Sequence, residues 1–138
     1  MASKQICRRT WTDSKPTASV VNSDAAVLVS LDFLLKTAGF NVCAYPSAEK
    51  LLTAQCAGAA QCFILDHGPR GPNGLGLARV LRSRGLHAPV VLTTGYRCSA
   101  FEAYARGLEP VIVTQRVDED VIRRLIVMIG EPQGADLR

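Results

Sequence analysis

The sequence predicts a single α/β domain whose parallel sheet is doubly wound, with helices on both faces. Three observations carry this. Short apolar strands alternate with amphipathic helices five times along 138 residues. Cys62-Phe63-Ile64-Leu65 is a continuous apolar run ending on Asp66, the pattern of a central strand covered on both sides. Every β-to-β step passes through a helix-sized segment, which leaves right-handed crossovers as the connection.

The elements follow in order. Residues 1–17 are polar and unpatterned and are read as a flexible N-terminal arm, with the domain at 18–130 and a C-terminal tail at 131–138. Ser19-Val20-Val21 is a buried strand. Asp24 is placed to cap a helix carrying Val27, Leu28, Leu31, Leu34, Leu35 and Ala38 at helical spacing, and Gly39 stops it. Asn41–Tyr45 is the second strand. Ser47 caps a helix over residues 48–55, with Glu49 near its N-terminal dipole. After Asp66 comes a loop rich in glycine and proline through Gly74. Leu75, Ala78, Val80 and Leu81 then mark a helix that stops at Gly85. Residues 89–92 form a strand that runs into Thr93-Thr94-Gly95, and Ser99–Arg106 is a short helix. Val111-Ile112-Val113 is the fifth strand, and Asp118 caps a last helix with Ile122, Leu125, Ile126 and Ile129 on its buried stripe.

Composition excludes several classes. Nearly half the residues are apolar and a fifth are charged, enough for a core without a metal or disulfide staple. The five cysteines (Cys7, Cys43, Cys56, Cys62 and Cys98) show no CxxC spacing, and neither His67 nor His87 falls near a cysteine pair, which argues against zinc. Unpaired thiols point to a reducing compartment, hence the cytoplasm. No run reaches the ~20 apolar residues of a membrane span, and residues 1–16 lack the apolar core of a secretory signal. The 16 basic residues against 12 acidic ones are scattered and read as solvated faces, not as a nucleic-acid stripe.

In a doubly wound sheet the ligand site lies at the carboxyl ends of the strands. Those ends are Asn22-Ser23-Asp24, Asp66, Thr93-Thr94 and Thr114-Gln115-Arg116. Asp66 is the candidate pocket residue; its bland alternative is a strand-end carboxylate capping a loop. Asn22 and Ser23 are expected to hydrogen-bond the loop and Asp66 itself. His67 is expected to be solvent-facing loop. Gly68-Pro69-Arg70-Gly71-Pro72 is not a phosphate-binding Walker loop, because the terminal Gly-Lys-Ser/Thr is missing.

Over about residues 19–129 the chain resembles the receiver domain of two-component response regulators. The likeness rests on Leu34-Leu35-Lys36-Thr37-Ala38-Gly39-Phe40, on Tyr45-Pro46-Ser47-Ala48-Glu49, on Asp66 with Asn73-Gly74 behind it, and on Thr94-Gly95. The resemblance implies a flavodoxin-like sheet of order 2-1-3-4-5. It also implies Asp66 as the phospho-acceptor, Thr94 as the phosphate-sensing hydroxyl, and a Mg²⁺ ion between the attacking carboxylate and the phosphoryl oxygens. The family's acidic pair falls on Asn22 and Ser23, with Asp24 one position too late. Its lysine falls within Thr114-Gln115-Arg116, leaving Gln115 and Arg116 as substitutes. The aromatic switch position falls on Val111 or Ile112. With Asp66 as the remaining acid ligand, Mg²⁺ binding is expected to be weak.

The function expected is an atypical receiver in phosphorelay signalling, not a turnover enzyme. It would have weak or absent Mg²⁺-dependent phosphorylation at Asp66 and would work through protein–protein contact. Its partner would be a sensor histidine kinase or another signalling protein. A homodimer through the fourth helix, fifth strand and fifth helix is also expected, since no room is left after Ile129 for a DNA-binding output domain. The alternatives are a fully phosphorylation-independent pseudo-receiver scaffold and a small flavodoxin-like nucleotide-binding domain or enzyme. The last lacks a phosphate-cradling glycine loop after the first strand.

Overall fold

A computed structural model describes residues 15–55, 57–68, 72–95 and 98–130. Most of the expected arm, the whole tail, Cys7, Cys56 and the loop residues 69–71 lie outside the described residues. Five parallel strands, β1 (Thr17–Val21), β2 (Asn41–Tyr45), β3 (Cys62–Asp66), β4 (Val90–Thr93) and β5 (Val111–Thr114), form one sheet in the order β2-β1-β3-β4-β5. This is the 2-1-3-4-5 order expected from the resemblance. The helices are α1 (Ala25–Thr37), α2 (Ala48–Thr53), α3 (Gly74–Ser83), α4 (Ser99–Arg106) and α5 (Glu119–Gly130), with a 3₁₀ turn at Ala57–Ala59. No helix among the described residues is long and apolar enough to cross a membrane.

Strand alternation divides the core into two layers. Ala18, Val20, Cys62, Ile64, Val91 and Ile112 face α1 and α5, where they meet Leu31, Leu35, Val121, Ile122 and Leu125. Val21, Phe63, Leu65, Val90 and Leu92 face the other way, against Leu51, Leu77, Leu81, Phe101 and Ala105 of α2, α3 and α4. Both faces of β3 are buried, which explains its unbroken apolar run.

The helix boundaries follow local chemistry. Asp24 caps α1, its carboxylate accepting from the backbone N–H groups of Ala26 at 2.9 Å and Val27 at 3.4 Å. Ser47 caps α2, and Asp118 accepts from Val121 N–H at the start of α5. Gly39 ends α1 at φ +103°, a left-handed conformation that suits glycine. Two boundaries differ from the sequence reading. β1 begins at Thr17, drawn into the sheet by pairing with Asn41 and by the Gln61 side chain, which accepts from Thr17 N–H. α2 stops at Thr53 and not at residue 55, because Ala54 turns extended (φ −76°, ψ 135°).

Candidate functional site

The carboxyl ends of β1, β3, β4 and β5 open into a cleft of about 560 Å³, bounded by the N-terminal half of α1 and by the connection from β5 to α5. Its size lies within the range of small-molecule pockets. Asp66, Asn22, Ser23, Asp24, Gln115 and Arg116 all line it, so the sequence-predicted residues do converge. A smaller apolar hollow of about 280 Å³ lies on the other side of Asp66, between Pro46-Ser47-Ala48 and Pro72-Asn73-Gly74.

Asp66 is half-buried at the last position of β3 and pairs in register with Thr93. Thr93 Oγ1 donates to Asp66 Oδ1 at 3.0 Å, which fixes one carboxylate oxygen. The hydroxyl beside the carboxylate is therefore that of Thr93. Thr94, expected in that place, is 2% exposed and does not line the cleft; its backbone N–H bonds to Thr114 O at 2.9 Å. Asp66 and Thr93, paired across β3 and β4, continue the layer of Ile64 and Val91.

The expected acidic pair is occupied by neutral groups with other duties. Asn22 is 8% exposed, and its side-chain oxygen accepts from Asp24 N–H at 2.9 Å. Ser23 is exposed and borders both hollows. Asp24 reaches the cleft, but one of its oxygens caps α1. Gln115 and Arg116 are exposed on the wall of the cleft. Thr114 Oγ1 turns away, donating to Arg116 O at 2.9 Å. Among the described residues no three His, Cys, Asp or Glu side chains gather as a metal site. The anionic donors at the cleft are thus Asp66 and Asp24, one oxygen of Asp24 being taken up by the cap of α1, and a hard cation gains most from anionic ligands.

Two residues beside the site have contacts that the sequence reading did not give them. His67 is not free loop. Its N–H bonds to Thr93 O at 2.8 Å, its Nδ1 accepts from Leu75 N–H at 3.2 Å, and its ring lies 4.7 Å from that of Phe101. Burial lowers its pKa against the opposing pull of Asp66. Gly74 lies so close to Asp66 that an added Cβ would sit 2.6 Å from the Asp66 carbonyl oxygen. The glycine allows α3 to start directly against the end of β3.

No family model matches the chain. Among curated proteins, the transcriptional regulatory protein FixJ of Bradyrhizobium diazoefficiens is 30% identical over 110 residues, covering 80% of this chain and 53% of the relative. FixJ of Azorhizobium caulinodans is 36% identical over 77 residues, 56% of this chain and 36% of the relative. The chain spans about half or less of these longer proteins. Among solved structures, the BeF₃-activated N-terminal receiver domain of Klebsiella pneumoniae RstA superposes with a TM-score of 0.71 at 18% identity, covering 83% of this chain and 99% of that one. The response regulator TrrA of Thermotoga maritima, in complex with Mg²⁺-BeF, gives 0.67 at 20% identity, covering 83% and 98%. With the sheet order, the strand-end carboxylate and these relatives in agreement, the chain belongs to the receiver domains of response regulators.

Proposed function

We propose that this chain is an atypical receiver module of the cytoplasm. It meets a sensor histidine kinase or another signalling protein, undergoes little Mg²⁺-dependent phosphorylation at Asp66, and passes its state on by protein–protein contact. The observation that carries the reading is the composition of the cleft. Asp66 stands among Asn22, Ser23, Gln115 and Arg116, with Asp24 tied to the start of α1. In the reaction that receivers run, a carboxylate oxygen attacks the phosphorus of a phosphohistidine. The P–N bond breaks and an acyl phosphate forms. Here Asp66 can supply the oxygen and Thr93 can hold its partner oxygen in place. What is short is charge. A missing unit charge ~4 Å from an ion removes about 4 kcal/mol at an effective dielectric of ~20. Solvent competition leaves less than that, yet every ~1.4 kcal/mol is tenfold in affinity.

The output face is proposed on α4, β5 and α5, and a homodimer through it fits the apolar groups left exposed there: Tyr104 on α4, and Ile126 and Val127 on α5. Incubation with acetyl phosphate and Mg²⁺, followed by intact mass, tests the phosphorylation reading. The parent chain should gain little phosphate. The Asn22→Asp/Ser23→Asp variant should gain one, and Asp66→Asn should abolish that gain. Full modification of the parent at low Mg²⁺ would refute the proposal.

A further inference from the structure

We propose that the state of Asp66 reaches α4 through the ring contact between His67 and Phe101. The inference rests on the reading above, in which Asp66 receives the input and α4 forms part of the output face.

His67 joins four elements at one point. Its backbone follows Asp66 out of β3, and its N–H holds the end of β4 through Thr93 O. That same Thr93 holds the Asp66 carboxylate through its hydroxyl. The imidazole accepts from Leu75 N–H in the first turn of α3 and packs on Phe101 of α4, the ring planes tilted by 42°. A change of charge or position at the carboxylate therefore acts on the Asp66–Thr93–His67 cluster before it acts on anything more distant.

α4 is the element suited to respond. It has eight residues, and its N-cap, Cys98, makes no side-chain capping bond. It buries Phe101 and Ala105 and little else. A short helix with an unassisted N-terminus and two buried anchors belongs to the low-stability end of a fold. Phe101 is the first of those anchors, 7% exposed, and the ring of His67, the residue after Asp66, lies 4.7 Å from its own. The positions at which the family resemblance placed an aromatic switch hold Val111 and Ile112, which are aliphatic. The ring contact of His67 supplies an aromatic link by another path. His67 is a positioning residue in this scheme, since it contacts Asp66's neighbours and not a reacting atom.

The test separates the ring from the hydrogen bond. Amide signals of residues 99–106 are followed by ¹⁵N correlation NMR on the full chain, with Asp66→Asn as the perturbation, in three backgrounds. His67→Phe keeps a ring against Phe101 and removes the acceptor for Leu75. His67→Gln keeps an acceptor and removes the ring. Thermal melts confirm that each variant folds. The shift changes in α4 on Asp66→Asn should be present in the parent, kept in His67→Phe and lost in His67→Gln. Their survival in His67→Gln, or their loss in both variants, overturns the relay while leaving the output face standing. If the parent itself shows no response in α4, the relay and the α4 output reading fall together.

Discussion

Arg82 offers the sharpest test of what holds the sheet ends in place. It sits in the last turn of α3, half-buried, and its guanidinium makes five hydrogen bonds to four carbonyls. Nη1 donates to Leu86 O at 2.9 Å and Ala88 O at 2.8 Å; Nε and Nη2 donate to Leu108 O at 3.0 and 2.8 Å; Nη2 also donates to Pro110 O at 3.0 Å. Two of these carbonyls lead into β4 and two into β5. Pro110 O also accepts from Val90 N–H, so the cation braces the first rung between the two strands. Partial desolvation lowers the Arg82 pKa, and the guanidinium stays charged in spite of it. Arg82→Met keeps the apolar stem and removes every donor. A net value of ~1.5–3 kcal/mol per charge-assisted bond would give far too large a sum, because the carbonyls are partly open to water and share one donor group. Counting one to two bonds' worth as uncompensated predicts a loss of about 2–4 kcal/mol. Arg82→Lys should lose most of it too, since one ammonium cannot span both connections. Urea unfolding of the parent, both variants and the exposed control Arg123→Met measures this, and amide exchange at Val90 should rise in step. If Arg82→Met costs under ~0.5 kcal/mol, the level of an exposed charge such as Arg123, the bracing argument is wrong.

Four further outcomes follow from the same coordinates. Gly74→Ala should destabilise by ~1–3 kcal/mol, because the new methyl meets the Asp66 backbone and must push α3 off the end of β3; chemical denaturation reads the loss. Cys62 is buried and its pKa is pushed up to about 12, so alkylation at pH 8 followed by peptide mass mapping should label it far more slowly than the exposed Cys98. Ser19 carries a buried hydroxyl with no hydrogen-bond partner among the described residues, so Ser19→Ala should be neutral or stabilising by up to ~1 kcal/mol, and a clear loss in calorimetry would contradict that geometry. His67 has a folded-state pKa below the ordinary 6.5, so the folded state binds fewer protons than the unfolded chain; stability is full above pH 6.5 and falls as pH drops below it, and a denaturation series in which His67→Phe keeps the same slope would count against this.

The sequence displayed the fold through patterns of short range. The apolar run before Asp66, the caps at Asp24, Ser47 and Asp118, and the stop at Gly39 are local signals, and each sits where local chemistry puts it. The site was half legible. That Asn22, Ser23, Asp66, Gln115 and Arg116 share one cleft follows from topology alone. Thr93 was not singled out, although strand alternation carried the signal: Val91 and Thr93 must face the same way as Ile64 and Asp66 once β3 and β4 pair in register. His67 and Arg82 had no local signal. The first is explained by Phe101 and the second by Leu108 and Pro110, each more than twenty residues away, and side chains of this kind are read from a fold and not from a pattern.

The carboxylate at the end of β3 is held in place by the architecture around it. Gly74 brings α3 up against its carbonyl, Thr93 bonds its side chain, and the register of β3 with β4 sets the distance between them. None of these restraints involves Asn22, Ser23 or the β5 end. The proposed loss of reactivity therefore needs no change at Asp66 itself, because its geometry is set by groups away from Asn22, Ser23 and the end of β5. On that reading the restraints on the acceptor position are separate from the groups that would supply charge to the cleft. The proposed relay starts from the same arrangement, since His67 follows Asp66 out of β3 and its N–H bonds to Thr93 O.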